Sequence, residues 1–174
     1  MDTSAEHVRF RQIHAAFCEG DLHALRAALP DPDVVPNGPM PAHIGPCLVY
    51  AVYHSPLFFV RELLELGADP NPTVDDGFPP LFATLWRSAR RDTNELVRLL
   101  LSFGADPNQR GHNDYTVLHV AVLEQNREAA ELLLTAGADP RLRTRIDELE
   151  TVVELAEREN LSEYADLLRR WRGE

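Results

Sequence analysis

The residues best equipped for chemistry lie close together in the second half of the chain: His112, Asn113 and Asp114, followed by His119. Imidazoles and a carboxylate are metal ligands, and a histidine beside a carboxylate can also act as a general acid or base. Two further carboxylates, Asp75 and Asp76, are adjacent just before Phe78. Neighbours in a turn more often serve as solvated turn formers than as an acid and base facing one bond. Arg87, Arg90 and Arg91 form the densest basic cluster, but Asp92 and Glu95 follow at once, which marks a solvated loop or a contact for an acidic partner. The thiols are Cys18 and Cys47 alone, too few for a disulfide framework and without the CxxC spacing of a zinc site. No glycine-rich phosphate loop is present. A base, a nucleophile and their orienting partners do not converge anywhere in the sequence, so neither catalysis nor a cofactor nor a metal is expected.

Composition narrows the remaining classes. With 174 residues and 44% apolar content the chain can build an ordinary core, and a single domain over 1–174 is expected. The formal charge is −11, and all 17 basic residues are arginine. That balance opposes attraction to nucleic acid or anionic lipid and favours solubility or a basic partner. The first twenty residues, Met1 to Gly20, mix charges with short apolar stretches and show no signal peptide or membrane span. The expected location is therefore the cytoplasm, and the expected state a monomer.

What positions these residues is a repeat. GADPN occurs at Gly67 to Asn71 and again at Gly104 to Asn108, and GADPR closes the series at Gly137 to Arg141. Each is preceded by an apolar run: Leu63 and Leu64, then Leu99 to Leu101, then Leu132 to Leu134. Glycine after a helix takes the left-handed conformation that other residues resist, and the proline three positions on prevents resumption. Upstream of the third stop, TVLHVAV over Thr116 to Val122 is followed by a polar break at Glu124 to Asn126 and an amphipathic stretch from Arg127 to Ala136. The pattern is helix, turn, helix, loop.

At Thr116, Val117, Leu118, His119, Val120 and Ala121 the chain resembles the ankyrin-repeat family, whose signature is T-P-L-H-x-A. Pro46 to Ala51 and Pro79 to Thr84 occupy the same slot in two more diverged units, the latter with four extra residues before its stop. Arg11 to Leu29 looks like a first repeat and Thr151 to Leu168 like a last one without its closing GAD. The resemblance implies an all-α ankyrin-repeat solenoid of about five stacked helix-turn-helix units with hairpin-like loops. The approximate units are 5–35 as an N-terminal cap, 36–71, 72–108, 109–141, and 142–174 as a C-terminal cap. Ala16, Ala51, Ala121 and Ala156 are expected where helices of adjacent repeats approach closely, with Thr84 a bulkier plug. Val49, Phe82 and Glu154 depart from the motif histidine. Pro30 to Pro46, rich in proline with Gly38 and Gly45, reads as an extended loop.

The same resemblance implies that His119, and by extension His14, is a structural hydrogen-bonder near a hairpin loop. It also puts His112 on a loop tip with His119 in the helix below, which removes the metal site imagined at the outset. It further implies a partner-binding face made of loop tips and the exposed sides of first helices. That register selects Tyr53, His54, Asp75, Asp76, Phe78, Trp86, Arg87, His112, Asn113, Tyr115 and Glu124. Ala42, His43, Leu123, Asp147, Glu148 and Glu150 fall at equivalent places. Among these Tyr53, Phe78, Trp86 and Tyr115 are expected on one face as aromatic anchors. The implied function is a protein–protein interaction module. The rivals are an immunity- or antitoxin-type inhibitor of a basic effector and a metal-dependent enzyme using loop histidines and aspartates near His112.

Overall fold

A computed structural model describes residues 3–41, 44–73, 78–86, 91–145 and 149–172. The chain divides into two units, Met1–Val74 and Asp75–Glu174. Among the described residues the regular structure is helical, and the two β-bridges are isolated pairs, Arg110 with Thr116 and Arg143 with Thr151.

The first unit holds α1 (Thr3–Glu19), α2 (Leu22–Ala28), α3 (Cys47–His54) and α4 (Leu57–Glu65). α1 pairs with α2, α3 with α4, and α1 lies along α3. Ile13, Phe17, Leu25, Phe59, Val60 and Leu63 are fully enclosed there. The Phe17 ring stands edge-on to Phe59 at 6.0 Å and to Tyr50 at 4.9 Å, so aromatic packing joins the two helix pairs.

The second unit holds α5 (Pro80–Leu85), α6 (Thr93–Ser102), α7 (Val117–Leu123), α8 (Arg127–Thr135), α9 (Val152–Arg158) and α10 (Ser162–Arg172). The three consecutive pairs stack, with α5 on α7, α7 on α9 and α6 on α8. Their shared interior is Leu81, Leu96, Leu100, Leu118, Leu133 and Leu155, all enclosed. Ala121 and Ala156, the small residues expected between helices of adjacent repeats, are wholly buried. Thr84 is buried too, and its hydroxyl donates to the Pro80 carbonyl at 2.8 Å, so the extra polar atom is satisfied within its own helix.

The three glycine stops form as the sequence predicts. Gly67, Gly104 and Gly137 have φ of 89°, 87° and 98°. Their amides donate to Leu64, Leu101 and Leu134, and the next residues, Ala68, Ala105 and Ala138, donate back to Leu63, Leu100 and Leu133. This double bond satisfies the last carbonyls of each helix. Asp69, Asp106 and Asp139 then accept from the amide two positions on at 2.8 to 2.9 Å, which turns the chain toward the next repeat.

Pro30 to Pro46 is more ordered than an extended loop. Pro32–Val34 form a 3₁₀ turn, and the Asn37 amide clamps the following stop, donating to Gly67 O at 2.8 Å and accepting from Asp69 N–H at 2.8 Å. Asn108 does the same to Gly137 O and Asp139 N–H at 3.1 and 2.7 Å. Val-Pro-Asn at 35–37 therefore plays the part of Asp-Pro-Asn at 106–108, and the repeat begins before its recognisable motif does.

Candidate partner-binding surface

Four rings meet at the start of the second unit. Phe78 precedes α5, Trp86 closes it with its amide on Phe82 O at 2.9 Å, and His112 opens the 3₁₀ turn His112–Asp114. Phe82 occupies the histidine slot of its repeat and is fully buried. Trp86 stacks on Phe82 at 5.6 Å and 21°, and His112 stacks on Phe78 at 5.5 Å and 12°. Phe78 touches Phe82 at 5.9 Å and Trp86 at 6.2 Å, and Trp86 lies 6.1 Å from His112. Phe78 and Trp86 are half-buried and His112 is exposed, so the cluster has a buried foot and an accessible rim.

The hairpin carrying His112 is held from both sides. Gly111 donates to Tyr115 O at 2.9 Å, and Arg110 reaches Asp114 O at 2.8 Å, the Asp114 carboxylate at 3.0 Å and the Arg143 carbonyl at 2.9 Å. Asn113 and Asp114 adopt positive φ of 54° and 61°, the conformation that these two residue types tolerate best after glycine. Arg145 adds a second cation, 3.4 Å from Asp114.

Beneath the loop, His119 is buried. Its Nε2–H donates to the Glu150 carbonyl at 3.3 Å, which leaves Nδ1 to accept from the Thr116 hydroxyl at 2.7 Å. Burial outweighs the Glu150 carbonyl and carboxylate and lowers its pKa to about 4. The structural role expected for His119 is therefore the one observed. In the last repeat Glu154 takes the corresponding position and completes a capping box with Thr151 while pairing with Arg143 at 2.9 Å. The Thr151 amide, then Arg143, hold its carboxyl at about 2.

The expected anchors divide. Phe78, Trp86 and His112 come together, with Asn113 exposed beside them, whereas Tyr115 is turned edge-on to His119 at 5.8 Å. Glu124 is exposed at the C-cap of α7. Asp75, Asp76 and Arg87, like His43, Asp147 and Glu148, lie outside the described residues. Tyr53 and His54 belong to the first unit, where they join a cluster that the sequence reading did not assemble. His54 lies 5.1 Å from His14, 4.4 Å from Tyr50 and 6.2 Å from Tyr53, and Phe10 stacks on His14 at 6.1 Å. His14 bonds Tyr50 Oη at 2.8 Å through Nδ1, a side-chain link between first helices rather than the hairpin bond expected of it. The four-residue spacings Phe10, His14, Cys18 and Tyr50, His54 were the available signal.

Among the described residues no three His, Cys, Asp or Glu side chains stand close enough to hold a metal ion, and no helix is long and apolar enough to cross a membrane. Cys18 and Cys47 are both free thiols.

The ankyrin-repeat family model of three copies matches residues 48–144, more than half of the chain. The protein belongs to the ankyrin-repeat family, an all-α repeat fold whose members generally serve as protein–protein interaction modules. It is similar to ankyrin repeat and KH domain-containing protein mask-1 of Caenorhabditis elegans, 33% identical over 113 residues that make up 64% of this chain and 4% of that protein. It is also similar to 2-5A-dependent ribonuclease of Mus musculus, 38% identical over 78 residues, 44% of this chain and 10% of that one. A third relative is alpha-latroinsectotoxin-Lt1a of Latrodectus tredecimguttatus, 33% identical over 91 residues, 52% of this chain and 6% of that one. The chain thus matches between 4 and 10% of the length of these curated relatives.

Proposed function

We propose that residues 1–174 act as one protein-binding module, a cytoplasmic monomer without catalytic activity, and that the rim of Phe78, Trp86 and His112 anchors its partner. The observation that carries this reading is the packing of Phe78 and Trp86 on the buried Phe82, with His112 stacked in turn on Phe78. Rings already fixed by one another lose little freedom on binding, and aromatic anchors of this kind dominate interface energies. The activity named for the ribonuclease relative is a property of that protein, of which the matched segment is 10%. Immobilised chain and its Trp86→Ala and His112→Ala variants, each checked for an unchanged melting profile, should differ in the proteins they retain. Loss of about 2 kcal/mol per anchor corresponds to roughly thirtyfold weaker capture. Equal capture by all three removes the proposed anchors.

A narrower reading, inhibition of a basic effector, draws on the formal charge of −11. Complex formation should then slow steeply as salt rises, and a salt-insensitive association rate would count against it.

A further inference from the structure

Resting on the reading just given, we propose that the Phe78, Trp86 and His112 rim receives a planar cation, the guanidinium of an arginine carried by a basic partner. Three features of the second unit lead there. First, Phe82 replaces the hydrogen-bonding histidine found at position 119, so this repeat offers stacked π-surface where the next offers a satisfied polar network. Second, the rings pair as two stacks, Phe78 with His112 at 12° and Phe82 with Trp86 at 21°, and the two stacks meet at 52–66°, so the accessible rings form an angled aromatic wall against which a flat side chain can lie. The face of an aromatic ring is electron-rich, tryptophan most of all, and guanidinium is the protein cation that is itself flat and weakly hydrated. Third, the carboxylate of Asp114, in the same turn as His112, is already engaged by Arg110 and Arg145. With that acid engaged, recognition falls to the rings, while the net charge of −11 draws a basic partner toward the chain as a whole.

The test uses the full chain and three capped hexapeptides: hexa-arginine, hexa-lysine and hexa-citrulline, the last keeping the flat shape of arginine without its charge. Binding is read by isothermal titration calorimetry, which needs no indole and so compares the parent with both Trp86 variants. At pH 8, hexa-arginine should bind at least tenfold more tightly than hexa-citrulline, with hexa-lysine between them. Trp86→Leu, which keeps apolar bulk and removes the π-face, should weaken hexa-arginine about tenfold, and Trp86→Phe only about threefold. Equal binding of arginine and citrulline peptides, or a Trp86→Leu variant that binds as well as the parent, overturns the proposal. If partner capture depends on Trp86 while hexa-arginine binding does not, the protein-binding reading stands and the guanidinium is excluded. If capture is indifferent to Trp86, the underlying reading fails first.

Discussion

The ring of Phe82 occupies the space that any side chain on Gly111 would need. A Cβ built on Gly111 falls well inside van der Waals contact with three atoms of that ring. Gly111 has φ of −124°, so the requirement is for room and not for an unusual backbone. The hairpin tip that carries His112 can therefore lie flat on the preceding repeat only because one residue is a glycine and the other a phenylalanine.

Gly111→Ala should accordingly destabilise the protein by about 1–3 kcal/mol, the usual cost of an overpacked contact. Urea unfolding measures it, and Phe82→Val should recover part of the loss in the double variant. Additive effects of the two substitutions would show that the contact is not the cause.

His119 makes stability depend on pH in a definite direction. Its pKa is lowered from 6.5 to about 4 by burial, so between those values the unfolded chain takes up a proton that the folded one refuses. Stability contributed by the neutral ring is complete above 6.5 and is lost on acidification, by up to about 1.4 kcal/mol per pH unit. His119→Gln should flatten unfolding free energy between pH 6.5 and 4; an unchanged slope would locate the proton elsewhere.

Asn108 ties two closures together through Gly137 and Asp139. Asn108→Ala should cost about 1–2 kcal/mol, since both partners lose a bond at once. Asn37→Ala, which removes the same pair from Gly67 and Asp69, should cost a similar amount. Hydrogen exchange at Asp139 and Asp69 should speed up in the respective variants and nowhere else in common.

The two thiols should report separately on folding. Cys18 is exposed, whereas Cys47 is 1% exposed and its pKa is pushed up to about 12 by burial. Native protein should therefore consume one equivalent of an aromatic disulfide reagent quickly and the second only on unfolding. Two fast equivalents would contradict the enclosure of Cys47.

The helix stops were legible because they rest on local chemistry: a glycine, two residues and a proline, repeated three times. The enclosed interior followed from the leucines in front of them. The Asn37 clamp was not legible, because Val35 and Pro36 lack the glycine and aspartate that flag the other closures. The aromatic surface was half legible. Register selected Phe78, Trp86 and His112, whose rings meet, and with them Tyr115, whose ring stands edge-on to His119. Register fixes which residue stands at a position and not its side-chain rotamer, and the choice here is made by Phe82, a buried residue read only as a departure from a motif. His14 was missed for the converse reason: a resemblance assigned it a bond that Tyr50 makes instead.

Arg141 stands where Asn71 and Asn108 stand in the earlier closures, but its guanidinium folds back on Asp139 at 2.8 and 3.1 Å. A residue that grips its own loop has no hand to offer the one beyond, so the series of forward links stops with a change of a single side chain. The terminal turn of α10, whose half-exposed Trp171 lies beside that same loop, receives no such link among the described residues, and its amides should exchange sooner than those held by Asn37 and Asn108.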